Sequence, residues 1–265
     1  MTLKIVTQNL LIDLDQWDLR GPLIVSALSD LSADIILFQE VPLKPDNATW
    51  IASQLQGYQV FIAPDAGMKI GQEGLAILTR LPVSDHVILD LGPQNRKAQI
   101  IYLAHAGQKY AIANTHLFWH DGHAPERLAQ AQQILAYLKS LPEPTHLILS
   151  GDFNATPDSP TIQWIKQYMR SAYEACHDTE ADSTFPTPLQ RDWHFGVAQG
   201  SKNWTLAKQK TTRDESHMTI DYIFASPELN VMDCTIVCDQ PDPKNTVIYP
   251  SDHYGLMAIF EPIHV

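Results

Sequence analysis

Cysteine is scarce in this sequence, membrane-length apolar runs are missing, and basic residues are outnumbered. The 265 residues hold three cysteines, Cys176, Cys234 and Cys238, an odd number without zinc-ribbon spacing. A reduced, cytoplasmic setting is therefore expected, with Cys234 and Cys238 as small core residues on one face of a strand. No apolar run reaches the roughly 20 residues that cross a bilayer as a helix, so no membrane span is expected. Met1 to Val6 enter a strand-like pattern at once and leave no room for a signal peptide. Lys and Arg number 18 against 30 Asp and Glu, a net charge of −12. Such a surface repels phosphate backbones, so extensive duplex DNA binding is not expected. A phosphate ester as substrate stays open, because a bound divalent cation and a local basic patch reverse the field at one site. One patch qualifies: Arg191, Lys202, Lys208, Lys210 and Arg213 face only Asp192 in that stretch. Its plainer reading is a solvated loop.

Repeats, low-complexity tracts and Gly- or Ser-rich linkers are also missing, which suits one domain over residues 1–265. So are a P-loop and a dinucleotide fingerprint. What is present is a succession of short apolar, β-rich runs. Strands are predicted at Leu3–Asn9, Ile35–Gln39, Gln59–Ala63, Leu75–Thr79, His86–Leu89, Ala98–Ala104 and Tyr110–Thr115. Further strands follow at His146–Leu149, Thr219–Ala225, Val231–Val237 and Leu256–Phe260. The turn His105-Ala106-Gly107-Gln108 predicts a hairpin. Helical spacing marks Leu19–Leu31 and Glu126–Leu138, and more weakly Asn47–Leu55 and Thr161–Met169. Many strands, few helices and mixed connections predict an α+β architecture of packed sheets with helices outside. From Ser171 to His217 there is little periodicity, and a stretch of that kind is where substrate recognition is expected.

Polar residues close the apolar runs. Asn9, Glu40 and His116 each follow one, Asp152 and Asn154 follow Leu147–Leu149, Asp221 lies within Thr219–Phe224, and Asp252 and His253 precede the last strand. Each alone reads as a cap or turn residue. Together they suit metal-assisted phosphoryl hydrolysis, since a rigid sheet holds groups at strand ends. Asn9, Glu40 and Asp252 offer hard oxygen ligands for Mg²⁺ or Mn²⁺. Asp152 is placed to orient or deprotonate water, Asn154 to bond a phosphoryl oxygen, and His116 and His253 to stabilise transition-state charge. Asp221 is suited to hold an imidazole in one tautomer.

Thr7-Gln8-Asn9-Leu10, Gln39-Glu40-Val41, Gly74 to Arg80, Thr115-His116-Leu117, Gly151-Asp152-Phe153-Asn154, Ile220 to Ile223 and Ser251 to Tyr254 occur in an order that resembles the endonuclease/exonuclease/phosphatase superfamily. The resemblance implies a four-layer α/β/β/α sandwich of two mixed sheets, with the active site at one end. It implies Glu40 as main metal ligand with Asn9 and Asp252 nearby, Asp152 and Asn154 handling nucleophile and phosphate, and Asp221 and His253 as an oriented pair. Two positions depart from the abasic-endonuclease branch: His116 replaces a Tyr, and Leu11 stands where that branch has a second acid. A His there is more like the deadenylase, sphingomyelinase and phosphatase branches.

The reading is a Mg²⁺-dependent phosphoesterase. The alternatives are a nuclease on DNA or single-stranded nucleic acid, with Trp119, Trp193 or Trp204 as stacking platforms, and a non-enzymatic scaffold. A zinc site from His116, His120 and His123 is conceivable, though Leu117-Phe118-Trp119 lacks the helical HExxH arrangement. Arg127 is read as a phosphate contact or a partner of Glu126, and Arg80 as a structural ion-pair residue.

Overall fold

The computed structural model describes residues 1–14, 16–64, 66–67, 71–120, 122–142, 145–189 and 217–263. The chain runs through β1 (Leu3–Asn9), α1 (Trp17–Leu31), β2 (Ile35–Pro42), α2 (Asn47–Leu55), β3 (Gln59–Pro64), β4 (Glu73–Thr79), β5 (Val83–Asp90), β6 (Lys97–His105) and β7 (Gln108–His116). It continues with α3 (Ala124–Lys139), β8 (His146–Asp152), α4 (Pro160–Ile165), β9 (Arg170–Ser171), α5 (Ala172–His177), β10 (Asp221–Ala225), β11 (Leu229–Val237) and β12 (Gly255–Pro262). Two six-stranded mixed sheets result, ordered β11-β12-β1-β2-β4-β3 and β5-β6-β7-β8-β10-β9. Each is built around one central parallel pair, β1 with β2 and β7 with β8. A parallel pair needs a crossover, and α1 and α3 supply the two crossovers.

The central strands β1, β2 and β4 read as nearly continuous apolar runs because both their faces are buried. Leu3, Ile5, Ile35 and Leu37 of the first sheet meet Ile101, Ile112, Ile148 and Ile223 of the second in a shared inner core. The alternate residues Val6, Ile36 and Phe38 pack outward against Ile24 and Leu28 of α1 and Ile51 of α2. On the other side, Ile100, Ala113 and Leu149 pack against Ile134 and Leu135 of α3 and Ile162 of α4. Helices, sheet, sheet and helices make the four-layer α/β/β/α sandwich that the resemblance implied.

Several boundaries differ from the sequence reading. β2 runs past Gln39 to Pro42 through a bulge, with its register to β4 shifting between Phe38 and Val41. α4 is shorter than Thr161–Met169, since the chain after Ile165 tightens into i→i−3 hydrogen bonds from Gln167 to Trp164 and Tyr168 to Ile165. α5 lies in the stretch that showed no periodicity. Cys234 and Cys238 are both buried but do not share a face. Cys234 packs in the inner core, whereas Cys238 follows the end of β11 with φ 55° and packs in the outer layer. Among the described residues no helix is long and apolar enough to cross a membrane.

Candidate active site

Side chains alternate along a strand, so the inner core can be followed residue by residue toward one end of the sandwich. β1 passes from Leu3 and Ile5 to Thr7 and Asn9, β2 from Ile35 and Leu37 to Gln39, and β7 from Ile112 to Asn114 and His116. β8 passes from Ile148 to Ser150 and Asp152, and β10, running the opposite way, from Ile223 back to Asp221. The register brings these ends together: Asn9 lies beside Gln39, His116 beside Asp152, and Asp152 beside Asp221.

The first polar layer is neutral. Gln39 Nε2 donates to Asn114 Oδ1 at 2.7 Å and to Thr7 Oγ1 at 3.0 Å, and Asn114 Nδ2 donates to the Phe38 and Ala76 carbonyls. This network ties the two sheets across the core. Buried amides are inexpensive only when bonded in this way.

The second layer is ionisable, and Asp152 is its centre. Its carboxylate is buried. Asn9 Nδ2 donates to Oδ2 at 3.0 Å, and the Asn154 backbone N–H donates to Oδ1 at 2.9 Å. His116 Nε2 lies 3.6 Å and His253 Nε2 3.9 Å from the same Oδ2. Burial first, then the charge of Asp221, pushes the Asp152 carboxyl up to about 7. A carboxyl poised near neutrality suits proton transfer at neutral pH.

The two imidazoles are in opposite states. His253 Nδ1 donates to Asp221 Oδ2 at 2.9 Å. Although burial opposes the charged form, the Asp221 charge and hydrogen bond, then Asp252 and Asp152, raise this imidazole to about 10. That direction favours the imidazolium form of His253. His116 is held well below the ordinary range by burial, then by the cations Arg96 and His253. Its contacts to Asp152 and, at 3.9 Å, to Glu73 Oε1 are therefore not ion pairs.

Local backbone features aim these groups. In a regular strand Glu40 would face away from Gln39, but the bulge and a positive φ of 51° turn it. Bulges re-aim side chains in this manner. Glu40 Oε2 accepts from the Ile12 N–H at 2.9 Å, and Glu40 is near enough to help raise Asp152. Gly151 has φ 138°, and a Cβ there would sit 1.9 Å from the Thr115 carbonyl oxygen. Only glycine lets β8 approach β7 this closely one residue before Asp152. A strap formed by Thr184 and Thr187 holds the remaining ends. Thr184 Oγ1 accepts from the Ile220 and Asp221 N–H groups, Thr187 N–H donates to the Asp252 carbonyl, and Thr187 Oγ1 donates to the Ser251 carbonyl.

The expected residues are placed unevenly. Asn9, His116, Asp152, Asp221 and His253 are in direct contact or within 4 Å through Asp152 and His253. Glu40 is in electrostatic reach of Asp152. Asp252 is buried next to His253, with Ser251 Oγ donating to its Oδ1 at 3.3 Å. The Asn154 amide points elsewhere, donating to the Leu117 carbonyl at 3.2 Å. Asn9 Oδ1 accepts from the Leu11 N–H, although a carbonyl oxygen keeps a second lone pair.

Arg96 and Glu73 are additions that the sequence reading passed over. Arg96 is buried at 2% exposure, with Nη1 at 3.6 Å from Glu73 Oε1. Its Nε and Nη1 have no hydrogen-bond partner among the described residues. A buried cation so placed near Glu40 and Asp152 suits an anion. Arg127 Nη1 donates to the Phe118 and His120 carbonyls, and His123 pairs with Glu126. Arg80 lies over the Tyr58 ring at 4.5 Å. His116, His120 and His123 form no metal-binding group among the described residues. The tight group there is Asp152, Asp221 and His253, whose ligand atoms lie within 4.8 Å. In that group His253 Nδ1 is already bonded to Asp221 Oδ2 at 2.9 Å. The hard oxygens of Glu40, Asn9 and Asp252 fit a divalent cation better. The basic residues from Arg191 to Arg213, with Trp193 and Trp204, lie outside the described residues.

The sequence pattern of the Endonuclease/Exonuclease/phosphatase family matches residues 10–253. Nocturnin of Drosophila melanogaster is 29% identical, over 92% of this chain and 42% of that protein, so the chain spans less than half of this relative. The structure of D. rerio TDP2 complexed with single strand DNA product superposes with a TM-score of 0.76 at 19% identity, covering 98% of this chain and 99% of that one. The human Nocturnin catalytic domain with bound sulfate anion gives 0.74 at 23% identity, covering 99% and 95%. At those identities the structural likeness establishes the fold.

Proposed function

The chain belongs to the Endonuclease/Exonuclease/phosphatase family, and on that premise we propose that it is a divalent-metal-dependent phosphoesterase that splits a phosphodiester or phosphomonoester by in-line attack of water. The observation that carries the proposal is Asp152, a buried carboxyl near neutrality, held by Asn9 and flanked by one neutral and one cationic imidazole. Mg²⁺ or Mn²⁺, held by Glu40 with Asn9 and Asp252, would neutralise charge on the phosphoryl oxygens. Asp152 takes the proton of the attacking water as the new P–O bond forms. The ester P–O bond breaks on the opposite side, and the leaving oxygen takes a proton from solvent water. His253, oriented by Asp221, and Arg96 place positive charge where the phosphoryl group gains negative charge. His116 offers a neutral imidazole, and the Asn154 backbone N–H fixes the Asp152 carboxylate.

A narrower second reading is a nuclease for single strands. Trp119 stands three residues past His116 on the rim, 36% exposed and 5.2 Å from the His120 ring. A ring so placed is a stacking platform for a base. The single strand DNA product held by zebrafish TDP2 supports including such strands as substrates. The net charge of −12 argues against long duplexes. Cys176, exposed, and Cys234 and Cys238, buried, are free thiols, which supports a reduced, cytoplasmic setting.

The test is hydrolysis of bis-nitrophenyl phosphate, nitrophenyl phosphate, single- and double-stranded DNA, poly(A) RNA and sphingomyelin with Mg²⁺, Mn²⁺ or chelator, beside Asp152→Asn. Metal-dependent turnover that Asp152→Asn removes is expected. Turnover indifferent to chelator or to that substitution would overturn the proposal, and silence with no metal bound would favour a scaffold.

A further inference from the structure

Among the described residues Arg20 is the largest fully buried side chain, at 0% exposure in the first turn of α1. An arginine buried in this way is costly unless its donors are satisfied. Both terminal nitrogens reach backbone carbonyls. Nη1 donates to Leu10 O at 3.0 Å and to Pro250 O at 3.1 Å, and Nη2 donates to Asp13 O at 2.5 Å. The Trp17 ring covers the guanidinium at 5.5 Å.

The positions of those carbonyls are what give the contacts meaning. Leu10 follows Asn9 directly. Asp13 follows Ile12, whose N–H donates to Glu40 Oε2 at 2.9 Å. Pro250 stands two residues before Asp252. One rigid, planar fork thus joins the loop after β1, which follows Asn9 directly and braces Glu40, to the loop before β12, which carries Asp252. These segments are some 240 residues apart in the chain and belong to different strands of one sheet. Only a guanidinium presents several donors in a fixed geometry that can bridge both loops at once; a lysine ammonium is a point charge on a flexible stem.

We propose that Arg20 is a positioning residue for the metal site: it locks the backbone spacing of Asn9, Glu40 and Asp252 without touching metal or substrate. This rests on the reading of those three residues as the ligands. A purely structural alternative would have Arg20 only fasten α1 to the first sheet. Residues that orient ligands from behind typically cost about 10–100-fold in metal affinity when replaced, whereas loss of a core contact on the same helix costs stability alone.

The experiment measures Mn²⁺ affinity of the full chain by electron paramagnetic resonance, with kcat and KM for the best substrate and the melting temperature in chelator. The variants are Arg20→Gln, Arg20→Lys, Ile24→Ala and Glu40→Gln. Ile24 lies one turn along α1 and packs in the outer core, so Ile24→Ala supplies a destabilised chain with the fork intact. Arg20→Gln should weaken Mn²⁺ binding about 10–100-fold and lower kcat while KM stays near normal. Arg20→Lys should retain an intermediate affinity, and it serves as the test chain where Arg20→Gln does not fold. Ile24→Ala should melt earlier yet bind Mn²⁺ as the unaltered chain does. Unchanged Mn²⁺ affinity in the Arg20 variants, or a loss equalled by Ile24→Ala, overturns the proposal. Glu40→Gln separates the two levels. If it abolishes Mn²⁺ binding while the Arg20 variants bind normally, the positioning role alone fails. If it binds Mn²⁺ normally, the ligand reading fails and the Arg20 proposal falls with it.

Discussion

The two central βαβ units, β1-α1-β2 and β7-α3-β8, are built alike and end at the same edge of the sandwich. What they deliver there differs. The first, with β12 beside it, ends in Asn9, Glu40 and Asp252, oxygen donors suited to a hard cation. The second, with β10 beside it, ends in His116, Asp152 and Asp221, groups suited to moving and balancing protons. His253 reaches across from the first sheet to pair with Asp221 of the second. Topology decides where the polar ends meet, and the residues in or beside those strand ends decide the chemistry. Anything that changes one wall should leave the other's function readable.

A large expected effect comes from the group that spans both walls. His253→Ala should lower kcat by about 10²–10³-fold, the range for one electrostatic contributor in a desolvated site. Asp221→Asn should lose less, because the imidazole stays but its charge is no longer held. Near-normal turnover in His253→Ala would remove His253 from the chemistry.

Next in size is an effect on stability. Gly151→Ala drives a methyl toward the Thr115 carbonyl at φ 138° and should cost roughly 2–4 kcal/mol in urea unfolding, combining backbone strain with overpacking. Gly107, also at positive φ (79°) but with nothing within 4 Å of an added Cβ, should tolerate Ala with only the φ penalty of about 1–2 kcal/mol. Equal losses at the two positions would show that the close approach of β7 and β8 is not what selects glycine.

A smaller effect is on pH dependence, measured in chelator. His253 is raised from 6.5 to about 10 in the folded chain, so the native state holds its proton more tightly than the unfolded state. The resulting stability is fully present below about pH 6.5 and is lost as pH rises through about 10. Asp152, raised from 3.8 to about 7, acts in the same direction at lower pH: stability falls as pH rises from about 4 to 7. The melting-temperature difference between the unaltered chain and Asp221→Asn should therefore shrink between pH 6.5 and 10. A constant difference would contradict the charged pair.

Most strand positions were readable because a strand buried on both faces is written as an uninterrupted apolar run, as in Ile35-Ile36-Leu37-Phe38. The meeting of Asn9, His116, Asp152, Asp221 and His253 was readable because these polar residues stand at the ends of such runs; their roles are part of the proposal. Other parts carry no such mark. Arg20 sits inside an ordinary helical pattern and looks like a solvent-facing residue, and its burial comes from two loops distant in sequence. Arg96 and Glu73 lie at strand starts where exposed ion pairs are common. The direction of Glu40 depends on a bulge, which counts residues in the partner strand rather than its own. Thr184 and Thr187 act through backbone groups of β10 and β12, so their role is invisible until those strands are placed.

The most direct test is to alter one wall at a time and read metal binding and turnover separately. Mn²⁺ binding and metal-dependent hydrolysis would be measured for Glu40→Gln and for Asp152→Asn. The account predicts that Glu40→Gln loses both, while Asp152→Asn keeps Mn²⁺ binding and loses hydrolysis. Asp152→Asn losing the metal while Glu40→Gln retains it would contradict the division between the two sheets.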